Sequence, residues 1–176
     1  MACNSLSRFL PLTVASLAAL VAVHAANQNH STEQTFAAEL AHSNVAEIEM
    51  GKLAQEKGAD SDVRDFGAKM VTDHTRLNNS LKEWARSNHV SLPTGLSTAA
   101  ADQKRKLEGL TGKAFDSAYI SDMVNDHRHD VDRVEKISRT SDDPQVKQLA
   151  QDVLPTLQEH LQLAEKAAGK LGVNTK

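Results

Sequence analysis

The chain has 176 residues, room for one domain with a real core, and it is rich in Ala, Leu, Glu, Lys, Gln and Asp but only 3% aromatic. That composition makes sandwiches and barrels poor candidates and points to an all-α chain. Lysine and arginine number 20 against 23 aspartates and glutamates, for a net charge of −3, which speaks against a phosphate-binding surface and so against nucleic acid as a partner.

Residues 1–25 read as a cleavable signal peptide. A polar start ends in Arg8, an apolar stretch runs from Phe9 to Val23, and the small residues around Val23-His24-Ala25 suit cleavage after Ala25. The stretch is 15 residues long, short of the roughly 18 that read as a spanning helix, so the expected product carries no transmembrane span. It is expected to be exported, periplasmic or envelope-associated, and to start at Ala26. The only cysteine, Cys3, precedes the apolar stretch. A lipoprotein signal needs it at the cleavage point, and its loss leaves no thiol for disulfides.

Residues 26–32 read as a flexible linker, followed by a bundle over 33–172 and a tail over 173–176. Ser31 and Gln34 have the spacing of a capping box, which predicts the start of a first long helix running to about Lys57, before Gly58. Asp60 and Ser61 are natural caps for a second, in which Val63, Phe66, Met70, His74, Leu77, Leu81 and Trp84 recur at three- and four-residue steps. A Pro/Gly-containing connector, His89 to Gly95, leads to a short polar helix near Ser97–Leu110 in the crossover. The third long helix opens at Gly112 and carries Phe115, Tyr119, Met123, His127, Val131 and Val134 on one stripe. Asp142 or Asp143 before Pro144 starts the fourth, which carries Val146, Leu149, Val153, Leu157, His160, Leu161 and Ala164. Pro155 lies inside it and predicts a kink. Four such helices make a four-helix bundle.

Met70-Val71-Thr72-Asp73-His74 repeats as Met123-Val124-Asn125-Asp126-His127, 53 residues on, so the second and third long helices should present the same face to the core. Three of the eight histidines, His74, His127 and His160, interrupt apolar stripes. On the first long helix the stripe Phe36, Leu40, Asn44, Glu47, Gly51, Ala54 turns Glu47 inward. With the first turn near residue 59, Glu47 and His74 differ in height by about 4 to 5 Å. With another turn near residue 141, His127 and His160 differ by about 7 Å. Glu47, His74, His127 and His160 can thus share one mid-bundle layer. Three imidazoles and a carboxylate suit one transition-metal ion, Zn, Fe, Mn or Cu. The acids that precede the histidines, Asp73, Asp126 and Glu159, are placed to orient an imidazole of a neighbouring helix. The alternative is a metal-free buried polar layer that fixes register. His30, His42, His89 and His129 are expected on outer faces, in the linker or at a helix end. Glu33, Glu49, Glu56, Glu108 and Glu135 are expected as surface charges.

Ala46-Glu47-Ile48-Glu49 with Lys52-Leu53-Ala54, Phe66 to His74, Leu92-Pro93, Gly112 to Tyr119, Asp126-His127 and Leu154 to His160 together resemble the exported family catalogued as domain of unknown function 4142, over roughly Phe36 to Gly172. The resemblance implies a ferritin-like four-helix bundle with a short extra helix in the crossover, and export. It implies no established role. Di-iron ferritins place Glu three residues before the ligand His, whereas those positions here are Val71, Val124 and Leu157. Ferroxidase activity is therefore not carried over, and a mononuclear site, or none, fits better. Two functions follow as expectations: an exported bundle with one metal ion, or a non-catalytic structural or interaction module with an envelope partner.

Overall fold

Five α-helices make up the regular structure of the described residues: α1 (Ala15–Lys57), α2 (Ser61–Ser87), α3 (Thr98–Glu108), α4 (Gly112–Thr140) and α5 (Pro144–Leu171). The structure is a computed structural model that describes the backbone of residues 15–175 and the side chains of residues 34–175. The first part of the apolar stretch, Cys3, and the side chains of His30 and Glu33 lie outside the described residues.

Local chemistry sets the helix ends. The Asp60 side chain accepts from the Asp62 N–H at 2.8 Å, and Ser97 accepts from Ala100 at 3.2 Å. Asp143 accepts from Gln145 at 2.6 Å and Val146 at 3.2 Å, with Pro144 in the first turn, a cap that contributes about 1 kcal/mol. Gly172 closes α5 at φ 69, a conformation glycine reaches without steric cost. Pro155 sits within α5, which continues unbroken to Leu171. Pro155 and Gln151 are both exposed, so the carbonyl that loses a partner faces water.

The linker expected over residues 26–32 is helical and lies within α1. The Ser31 capping spacing does not start a helix. Between Ala15 and Gly51 there is no glycine or proline to interrupt the chain, and alanines dominate its first two turns, so helix propagation outweighs the local capping signal.

α1 packs most extensively on α2, and α4 on α5, giving two hairpins whose apolar stripes face each other. α3 covers part of the crossover and buries Leu107 and Ala100. One core group gathers Met50, Phe66, Met70, Leu107, Phe115, Tyr119 and Met123, and the other gathers Phe36, Leu40, Leu81, Val134, Leu149 and Leu157. Along α2 the boundary between them falls at His74, along α4 at His127 and along α5 at His160. The histidines therefore form a polar layer between two apolar halves.

Where α1 meets α2 near their connection, the backbones come very close. A Cβ on Gly51 would stand 2.7 Å from the Gly67 carbonyl oxygen, and one on Gly67 would stand 2.7 Å from Cβ of Ala54. Only glycine fits at this crossing. Among the described residues no helix is long and apolar enough to cross a membrane.

Candidate metal centre

α2, α4 and α5 each deliver one imidazole into the layer. His74, His127 and His160 are 1%, 2% and 0% exposed. Their ring centroids are 5.6 Å (His74 to His127), 5.2 Å (His74 to His160) and 5.3 Å (His127 to His160) apart. One ligand nitrogen from each lies within 4.8 Å of the others. The three rings thus form a nearly equilateral cluster.

In each ring one nitrogen is held by an oxygen. His74 Nδ1 donates to Oδ1 of Asn44 at 3.0 Å, His127 Nδ1 to the Met123 carbonyl at 3.0 Å, and His160 Nε2 to Oδ2 of Asp73 at 3.0 Å. These bonds fix the tautomers. They leave His74 Nε2, His127 Nε2 and His160 Nδ1 as bare lone pairs, and all three are buried without a hydrogen-bond partner. An N–H anchored on an oxygen with the opposite nitrogen free is how metal-binding histidines are oriented.

Burial keeps the rings neutral. It holds the His74 pKa well below the ordinary value, helped by the other two imidazoles. It pushes His127 down to about 4, with His160 adding to the effect. His160 is also lowered by burial, against the opposing pull of the Asp73 carboxylate. Burial would raise Asp73 itself, but the hydrogen bonds from His160 and Lys69 prevail and leave it lowered. Lys69 bridges Asp73 at 3.1 Å and Glu159 at 3.0 Å, so the outer side of this face is pinned by ion pairs.

Of the four residues expected in one layer, the structure brings the three histidines together. Glu47 does not join their ligand group. It is 3% exposed and lines a cavity of about 210 Å³ between α1, α3 and α4, with His42, Gln103, Asp126, His129 and Asp130. The reason is axial position. Asn44 and His74 each stand fifteen residues from Ala59, whereas Glu47 is three residues nearer the turn, about 4.5 Å lower. Asn44, already on the inward stripe, is the α1 residue that meets the triad.

Of the three acids preceding the histidines, Asp73 orients an imidazole of a neighbouring helix. Asp126 accepts from Gln103 Nε2 at 3.0 Å and Glu159 pairs with Lys69. Glu47 is held well above the usual carboxylate range by burial, then by the charges of Asp126, Asp130 and Asp122. Asp126 is raised by burial as well. Oxygens of Glu47, Tyr119 and Asp122 are also buried without partners, a second polar group that the stripe pattern did not reveal. His129 is exposed, and the half-buried His42 reaches the Gly95 carbonyl at 3.0 Å.

Compared with known families, residues 18–167 match the domain of unknown function DUF4142. The chain belongs to the DUF4142 family. Its fold is also that of solved structures with low sequence identity. A candidate secreted protein, DUF305 from Streptomyces coelicolor, aligns at TM-score 0.66 and 16% identity, over 80% of this chain and 94% of that one. CopM in its Cu(I)-bound form aligns at 0.64 and 16%, and in its Cu(II)-bound form at 0.66 and 15%, each over 78% of this chain and 96% of CopM. No protein of curated function matches the chain. For this DUF4142 member the likeness establishes the helical-bundle fold.

Proposed function

We propose that this DUF4142 protein is an exported four-helix bundle that holds one transition-metal ion on His74, His127 and His160. The observation that carries the reading is a cluster of three buried imidazoles, each with an unpartnered ring nitrogen and each offering a ligand nitrogen within 4.8 Å of the others. A metal-free neutral layer leaves three ring acceptors unmet, with Asn44 Nδ2 an unpaired donor beside His74, and each unmet buried polar atom costs about 1–3 kcal/mol. A cation satisfies all three at once.

An all-nitrogen donor set without thiolate or carboxylate suits copper or zinc, and suits manganese least. The copper-bound states of CopM, on the same fold, support copper as the first metal to try. The cavities of about 250 Å³ and 510 Å³ on the α2/α5 side are lined by residues other than the triad.

Elemental analysis of the untagged mature protein, loaded with Cu(II) or Zn(II) and desalted, should find close to one ion per chain. His127→Ala should lose it. Full stoichiometry in that variant would place the ion elsewhere.

The N-terminal sequence supports export. Since α1 runs through Ala25 and Ala26, processing there would shorten α1 without touching the described core side chains, which begin at Phe36. Intact-mass measurement on periplasmic extract should give a chain starting at Ala26. A chain retaining Met1 to Ala25 on membranes would make the apolar stretch an anchor instead.

A further inference from the structure

The triad is sealed from solvent, so an ion reaching it must pass between helices, and the two faces of the layer differ in how far their carboxylates are already paired. On the α2/α5 face, Lys69 spans Asp73 and Glu159, and Arg76 stands 3.4 Å from Asp73. A cation approaching there meets carboxylates already paired with an ammonium and a guanidinium. The α1/α4 face carries the cavity of about 210 Å³ lined by Glu47, Asp126 and Asp130, with His42 and His129 among its other residues. Asp130 is committed to Arg133 and Ser43, and Asp126 accepts from Gln103. Glu47 is different: it is 3% exposed, lines the cavity, and its Oε2 has no partner.

The residues lining this cavity neighbour the triad along α1 and α4, although no triad residue lines it. Glu47 is one helical turn from Asn44, which touches His74, and Asp126 and Asp130 flank His127 along α4. We propose that the acidic cavity between α1, α3 and α4 is the entrance through which a metal cation reaches the imidazole triad, with Glu47 as the inner carboxylate that passes it on. The inference rests on the triad being the metal site. The cavity's acids are too dispersed to appear with the histidines as a tight ligand group. That suits passage of a partly hydrated ion better than its retention. Negative potential focused in a cleft raises cation capture rates, and a buried carboxylate without a partner gives an entering ion its first direct protein ligand.

The test is stopped-flow uptake of Cu(II) by the metal-free mature protein, followed by imidazole-to-copper absorbance, in wild type, Glu47→Gln, Asp126→Asn and a surface control, Glu83→Gln. Both test substitutions are near-isosteric, and circular dichroism checks the fold of each. Burial holds Glu47 above the usual carboxylate range, so its part is that of a ligand oxygen whose proton the ion displaces, and Glu47→Gln removes that ligand. Asp126→Asn removes steering charge, worth roughly 10-fold or more in on-rate, and each variant should slow association by about that factor. The final stoichiometry should stay at one, and Glu83→Gln should bind at the wild-type rate. The wild-type rate should also fall with added salt more steeply than that of Asp126→Asn. Association within two-fold of wild type in both variants, or an equal loss in the control, overturns the entrance while leaving the triad intact. A second ion in wild type that Glu47→Gln removes also overturns it, because the cavity would then be a resident site. No uptake by wild type, or uptake unchanged in His127→Ala, overturns the triad reading itself.

Discussion

Saturating Cu(II) or Zn(II) should raise the melting temperature of the metal-free protein by roughly 5–10 °C, and a chelator should reverse it. An ion at 100 times its dissociation constant stabilises the folded state by about 2.7 kcal/mol, and a domain of this size gains about 2–4 °C per kcal/mol. His160→Leu should abolish the rise. In the metal-free state the same substitution should cost little, because it removes a buried acceptor that has no donor and leaves Asp73 with Lys69. The informative comparison is four melts: both proteins, each with and without metal. If wild type and His160→Leu shift equally on adding metal, His160 is not a ligand, and the structural reading of the layer takes over.

Acid should unfold the metal-free protein from pH 6.5 downward. His127 titrates near 6.5 when unfolded but at about 4 when folded. Its contribution to stability is therefore full above 6.5, declines as the pH falls, and is gone below about 4. That difference is worth roughly 3 kcal/mol, and His74, held well below its ordinary value by burial, acts in the same direction. Glu47 acts oppositely. Its folded pKa lies well above 4.5, so its contribution is full in acid and is lost as the pH rises through that folded value. Urea denaturation across this range should show stability falling toward pH 4 in wild type and a visibly flatter profile in His127→Leu. Superimposable profiles would mean that the buried rings do not control the acid limb.

The histidines were legible in the sequence because each interrupts an otherwise apolar stripe, and a polar residue at a core position always demands a partner. On α1 the residue level with His74 was harder to read. Glu47 has the more familiar ligand chemistry, but rise per residue places Asn44 level with His74, and an amide is enough to anchor an imidazole N–H. Asp73 was legible as an orienting acid because it lies about 100° round the helix from His74. Nothing in the sequence distinguished it from Asp126 and Glu159, since the pairing depends on which helix lies alongside. The α1 start was hidden for another reason. Ser31 and Gln34 have capping spacing, but a cap signal marks a start only where the preceding chain disfavours helix, and the alanine-rich segment before it does not. The second buried polar group escaped notice because Asp122 and Tyr119 look like one surface acid and one core aromatic until α1 brings Glu47 against them.

The glycine crossing of α1 and α2 has a mechanical consequence for the layer. Gly51 and Gly67 stand seven residues from Asn44 and His74 respectively, so the hard backbone contact lies two turns, about 10 Å, from the imidazoles. The far end of α2, at Ser87, is about 30 Å from the same contact. If the hairpin opens by pivoting at the glycines, the layer moves only about a third as far as the tip. His74 is thus mounted near the fulcrum of its hairpin, where splaying of the α1/α2 tip is least felt, and those helices can vary in length beyond it with little displacement of this ring against the two that α4 and α5 supply.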